Sequence, residues 1–206
     1  MSQALLSATY FGPIQWYQKL HRYPVCAIER CENFQKQTFR NRCHIATEAG
    51  LQALTIPTER ATSLHQPLRD TRISDHGDWR RQHWNAIASA YGESPFFDYY
   101  ADDLHPYFER RWTFLLDFDL DITHTLCSLL DVRPQIVLTD TYVAPDQLPD
   151  GTVDLREAIR PKHPLPDPDF QPRPYYQVYA QRRGFQPNLS VLDLLFNLGP
   201  EGILWL

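Results

Sequence analysis

The chain contains no apolar run near the ~20 residues that a membrane-spanning helix requires. Its start, Met1-Ser2-Gln3-Ala4-Leu5-Leu6, lacks the basic region and the long apolar stretch of a signal peptide. A cytoplasmic protein without a membrane span is the expectation. There is no basic excess: 20 Lys and Arg face 25 Asp and Glu, for a net charge of -5. A broad electrostatic grip on nucleic acid is therefore disfavoured. The four cysteines, Cys26, Cys31, Cys43 and Cys127, form no C-x-x-C pair, so the usual zinc and dithiol readings fail. They are expected as buried free thiols. Cys43 is the one candidate thiolate, because Arg42 and His44 flank it and neighbouring cations lower a thiol pKa. The eight histidines show no metal-ligand spacing, so no metal is expected. No internal repeat and no cofactor motif is present. Glycine is scarce, 8 against 17 prolines, which implies stiff, extended connections.

What is present fits one globular domain spanning residues 1–206. Hydrophobic residues make up 43% and charged residues 22%, ordinary globular values. Aromatics reach 13%, which predicts a core built on large rings. Leu5 to Phe11 reads as a buried strand ending at Gly12-Pro13. Pro13 to Leu20 follows as a helix, and Val25 to Ile28 as a second strand. Strand, helix, strand is the opening of a parallel α/β unit.

Phe39 to Ile45 and Leu51 to Ile56 flank Glu48-Ala49-Gly50 as a hairpin. Residues 58–70 read as a surface loop. Asp78 is placed to cap a helix from Trp79 to Tyr91, with Trp79, His83, Ile87 and Tyr91 on one face. Pro95 to Phe108 and Phe114 to Leu130 read as further helices, and Ile136 to Leu138 as a late strand. Asp117, Asp119 and Asp121 read as a solvated region of the helix.

Eight prolines fall in residues 142–174. That stretch is no regular helix or central strand, but an extended arm or a loop at an active site. Ser190 and Asp193 open a final helix that Gly199-Pro200 stops. The fold class is a mixed α/β domain with a central sheet, packed helices and a proline-rich arm. An α+β arrangement is the alternative.

Three groups of residues are candidates for chemistry. Lys36, Arg40, Arg42 and His44 lie within nine residues, and a strand from Phe39 would put Arg40, Arg42 and His44 on one face. Asn41 and Cys43 would take the other. Such a face could hold a phosphate or a carboxylate, or could simply be solvated. His83 stands in an aromatic stripe, either as a packed core residue or as a general base tuned by burial. Tyr175-Tyr176-Gln177 follows the arm and offers rings for stacking a sugar or base, or for core packing.

Several stretches together resemble the WbqC-like family. They are Tyr10 to Pro13, Glu32-Asn33-Phe34-Gln35-Lys36-Gln37-Thr38-Phe39-Arg40-Asn41-Arg42, Trp79 to Tyr91 with Pro95-Phe96-Phe97, Tyr175-Tyr176-Gln177, and Asn188 to Asn197. Many members open with a Gln-Pro pair, where this chain has Gly12-Pro13. The resemblance implies association with bacterial O-antigen or other surface-polysaccharide biosynthesis. It also implies glycyl or acyl transfer to an amino sugar.

On that reading a transferase would take a small-molecule substrate, such as a nucleotide sugar or an acyl donor. His83 would be the catalytic base. Lys36, Arg40, Asn41, Arg42, His44, Tyr176 and Gln177 would bind the substrate. The alternative is a non-catalytic binding or scaffold protein of the same pathway. Nothing in the sequence fixes the oligomeric state.

Overall fold

A computed structural model describes residues 2–61 and 63–206. Strand β1 (Gln3–Leu6), helix α1 (Ile14–Arg22) and strand β2 (Val25–Ile28) form the expected parallel unit, with Gln3 opposite Val25 and Leu6 opposite Ile28. Ala4, Leu5 and Leu6 are all buried, as befits a strand covered on both faces. The first strand is shorter than Leu5 to Phe11. After Leu6 the chain leaves the sheet and reaches a positive φ at Phe11, while the Tyr10 amide bonds to the Phe39 carbonyl. This excursion drives Tyr10 and Phe11 into the core, where both are fully buried.

The hairpin comprises β3 (Arg42–Thr47) and β4 (Gly50–Thr55), with Thr47 opposite Gly50. Only Glu48 and Ala49 lie in its tip, and Gly50 supplies the positive φ that the tight turn needs. Phe39 to Asn41 belong to a turn rather than to the strand. Asn41 closes the base of the hairpin instead: its amide nitrogen donates to the Ile56 carbonyl, and its own carbonyl accepts from the Ile56 N–H.

Residues 58–70 are not wholly irregular, since Leu68–Asp70 form a 3-10 turn. Four helices follow: α2 (Trp79–Tyr91), α3 (Phe97–Leu104), α4 (Pro106–Glu109) and α5 (Leu115–Leu129). The single helix expected over Pro95 to Phe108 is split, because Pro106 starts a new helix at its first position. Asp78 precedes α2 without capping it, since its carboxylate pairs with Arg81. The stripe Trp79, His83, Ile87 and Tyr91 is buried as the spacing predicts.

Strand β5 (Gln135–Leu138) pairs in parallel with β2, and a strand not foreseen, β6 (Thr152–Asp154), pairs in parallel with β1. The sheet order is β5-β2-β1-β6. The proline-rich stretch thus contributes an edge strand, the one sheet position that nearby prolines tolerate. The chain ends in α6 (Ala180–Arg183), α7 (Val191–Leu198) and a 3-10 helix over Gly199–Trp205. Ser190 caps α7 by accepting from the Leu192 amide. Large rings dominate the core, with Trp16, Tyr10, Tyr17, Tyr91, Phe11, Phe118 and Phe196 among its bulkiest fully buried members. The architecture is mixed α/β.

Candidate functional site

All four strands of the main sheet run parallel, so their carboxyl ends share one edge. The chain builds outward from β1 through β2 to β5, then returns to place β6 on the other side of β1. In open parallel sheets, ligands bind beyond the carboxyl ends where the winding reverses. Here that point lies between β1 and β6.

Each strand delivers a polar residue to this edge. Ser7 follows β1, Glu29 follows β2, Thr139 follows β5, and Asp154 with Arg156 comes from β6. Glu29 is fully buried and ties the ends together. Its Oε1 accepts from the Cys31 amide at 2.8 Å and from the Thr139 hydroxyl at 2.6 Å, and its Oε2 accepts from the Val143 amide at 2.8 Å. Arg156 lies 3.7 Å from Glu29 and donates twice to Asp154, at 2.9 and 2.6 Å. Burial alone would lower the Arg156 pKa, but the Asp154 carboxylate holds it above the ordinary value.

Arg40 makes a second two-pronged pair, with Glu32, at 2.8 and 2.5 Å. It also donates to the Ser7 hydroxyl at 2.8 Å. Both members of this pair are buried, so removing either would strand a charge away from water. An open recess of about 350 Å³ lies against these groups. Its wall includes Glu32, Asn33, Gln35, Tyr142, Asp154, Arg156 and Glu157. The Tyr142 ring is half-exposed and sits over the Arg156 guanidinium at 5.4 Å.

The residues expected to converge do not do so. Arg40 turns to Glu32 and Ser7 because it precedes β3, so it shares no strand face with Arg42 and His44. Arg42 donates to the Thr55 hydroxyl on the partner strand at 2.8 Å. His44 packs against the edge of Phe39, and burial first, then Arg42, lowers its pKa. The Asn41 amide nitrogen holds the hairpin base, and Lys36 is exposed.

Tyr176 is exposed, while Gln177 is buried in a clamp. Its amide nitrogen reaches Asp193 at 3.0 Å, the Tyr175 hydroxyl at 3.1 Å and the Gln186 carbonyl at 2.9 Å, and its oxygen accepts from the Gln186 amide. Both ends of that side chain thus serve the fold.

His83 does not line the recess. It is buried between Trp79 and Tyr10, with its Nδ1 2.9 Å from the Tyr10 hydroxyl. Burial lowers its pKa to about 4, although a bond to the Thr55 backbone opposes the shift. It is therefore a neutral core histidine at pH 7.

Cys43 is buried, and burial pushes its thiol far above the usual range, so Arg42 and His44 do not make it a thiolate. Asp119 is fully buried rather than solvated like Asp117 and Asp121, and burial raises its pKa.

The residues that sequence reasoning missed are Glu29, Tyr142, Asp154 and Arg156. The β-branched pair Thr152-Val153 beside Gly151 was the signal for β6, and through it for Asp154 and Arg156.

Fold and site together define an α/β protein with a polar recess at the carboxyl edge of a parallel sheet. The sequence model of the WbqC-like protein family matches residues 8–164. The chain belongs to that family. It is also similar to the uncharacterized protein Rv1507c of Mycobacterium tuberculosis (strain ATCC 25618 / H37Rv), with 28% identity over 191 residues, covering 82% of this chain and 81% of the relative. No solved structure matches. Among the described residues, no helix is long and apolar enough to cross a membrane.

Proposed function

We propose that the carboxyl-edge recess binds a small polar metabolite, an amino sugar or its activated derivative, and that the protein transfers an acyl or glycyl group to its amine. The observation that carries this reading is the pair of arginine–carboxylate forks, the buried Arg40–Glu32 and the partly exposed Arg156–Asp154, where the sheet winding reverses. Forks of this kind hold side chains rigidly, which is what positioning a substrate requires.

Charge and shape favour an amine-bearing sugar. The recess wall sets Glu32, Asp154 and Glu157 against Arg156 alone, an excess of negative charge that suits an ammonium group. Tyr142 offers a half-exposed ring for the apolar face of a sugar. Asn33 and Gln35 offer amides for hydroxyl groups. Because His83 is not in the wall, a transferase would take its base from the carboxylates, with Glu157 the more exposed choice.

A second reading, a binding protein of the same pathway without turnover, is favoured by the lack of histidine in the recess wall. Calorimetry with glucosamine against glucose tests the shared claim. We expect glucosamine to bind more tightly, and Tyr142→Ala to weaken it about tenfold through loss of stacking. Equal binding of the two sugars, or no effect of Tyr142→Ala, would contradict it. Turnover with an acyl or glycyl donor then separates the two readings.

A further inference from the structure

The first turn of α2 and the end of α4 frame a second opening, of about 230 Å³, whose wall includes Asp78, Arg80, Arg81, Trp84, His105 and Phe108. We propose that it binds a small anionic ligand carrying a planar ring, of the nucleoside diphosphate class. It shares no lining residue with the carboxyl-edge recess, so the proposal stands apart from the function proposed there.

Charge is the first argument. Arg80 and Arg81 lie in the wall, and the Arg111 guanidinium stands beside them. Arg80 donates to the Arg110 carbonyl at 3.2 Å, and Arg111 shares Asp75 with Arg80, at 3.5 and 2.7 Å. Against these three arginines stand Asp75, Asp78 and Glu109, the last paired with His105. The patch as a whole is balanced, but the wall itself sets Arg80 and Arg81 against Asp78 alone, a local positive excess on a chain of net charge -5.

The strength of those pairs is the second. Arg81 and Arg111 are exposed at 68% and 82%, and ion pairs open to water contribute little. A phosphate, with several acceptor oxygens, can take both forks from their single carboxylate partners. Arg80 is already oriented for such a contact. Its side chain is 14% exposed, Asp75 and the Arg110 carbonyl fix it, and its guanidinium lies 4.7 Å from the Trp79 ring centroid.

The third argument is the floor. The Trp84 ring contacts the His105 imidazole at 4.6 Å and Phe108 at 5.6 Å. Trp84 is only partly buried and the His105 side chain is 43% exposed, so the two present aromatic surface beside the arginines. A ligand that joins phosphate to a planar ring satisfies both halves of the opening at once. Inorganic phosphate would use only one.

The test is titration calorimetry on the full chain with uridine diphosphate, inorganic pyrophosphate and uridine, at low and high salt. Uridine diphosphate should bind most tightly, pyrophosphate less so, and uridine least, with affinity falling as salt rises. Arg81→Ala and Arg111→Ala should each weaken uridine diphosphate about tenfold, the loss of one charge-assisted contact, while their melting temperatures stay at the wild-type value. The proposal is overturned if none of the three binds at low salt, or if neither substitution changes the affinity. It is also overturned if a single-stranded oligonucleotide binds while uridine diphosphate does not. Should the melting temperatures fall, the charge-reversing but equally exposed Arg81→Glu decides: it must abolish binding for the proposal to stand.

Discussion

The Nη2 of Arg40 lies 2.5 Å from Oε2 of Glu32, while the same nitrogen reaches the hydroxyl of Ser7 at 2.8 Å. One guanidinium thereby fastens the loop after β2 to the end of β1 and fixes a carboxylate at the wall of the recess. The energetic consequence is direct. Arg40→Ala should destabilise the fold by about 3–5 kcal/mol, because it leaves Glu32 buried without its partner. Replacing both, Arg40→Met with Glu32→Leu, should cost far less. Urea unfolding of the single and double variants measures the difference, and additive costs would show that the two groups do not interact.

His83 and Asp193 carry opposite pH dependences in overlapping windows. The His83 pKa is lowered from 6.5 to about 4, chiefly by burial. Its contribution is complete above 6.5 and is lost as pH falls toward 4, because the unfolded chain takes up the proton first. The span corresponds to about 3 kcal/mol. His83→Leu should remove that acid sensitivity, which urea unfolding between pH 4 and 7 would record.

For Asp193, burial raises the pKa from 3.8 to about 6, although Tyr175 and Gln177 bond to its carboxylate. Here the contribution is complete below 3.8 and is lost as pH rises through 6, again on the order of 3 kcal/mol. In the wild-type protein the two slopes oppose each other. Asp193→Asn should therefore unmask a steep loss of stability on acidification. An unchanged pH profile in this variant would contradict the assignment.

The proline-rich stretch is held against α1 by Lys19 and Asp167, 2.8 Å apart, with side chains 1% and 5% exposed. Gln15 adds a bond to the same carboxylate at 2.8 Å. Asp167→Ala should leave the ammonium buried and unpaired, at a cost of about 3–5 kcal/mol. Limited proteolysis should then cut residues 161–174 faster than in the wild type, whereas an unchanged cleavage rate would mean that other contacts suffice.

Local patterning made much of the fold legible. Val25 to Ile28 and Trp79 to Tyr91 coincide with observed elements, because the first is a short, almost wholly buried apolar run and the second keeps its buried residues on one helical face. The early departure of the chain after Leu6 was not legible, since it depends on the distant Phe39 carbonyl bonding Tyr10. Nor was β6, a three-residue strand that joins the sheet by pairing with β1.

The candidate site shows the same division. Glu32, Asn33, Gln35 and Arg40 stood in the densest polar segment of the sequence. Their partners Asp154 and Arg156 lie more than a hundred residues away, and only the parallel pairing of β6 with β1 brings them to that edge. The aromatic setting of His83 was visible, but spacing alone does not distinguish a packed imidazole from a working one. The structure adds its placement, against Tyr10 and Trp79 and outside the recess wall.

On the proposed function, ligand binds at the exposed face of Tyr142, beside the Arg156–Asp154 fork. Chemical-shift mapping by NMR during a glucosamine titration, with the arginine Nε–Hε signals assigned, tests it most directly. We predict that the signals of Arg156, Tyr142 and Asn33 move first and saturate together, while those of His83 and Arg42 stay in place. Shifts confined to the hairpin or to the surroundings of His83, or none at the carboxyl edge, would contradict the account.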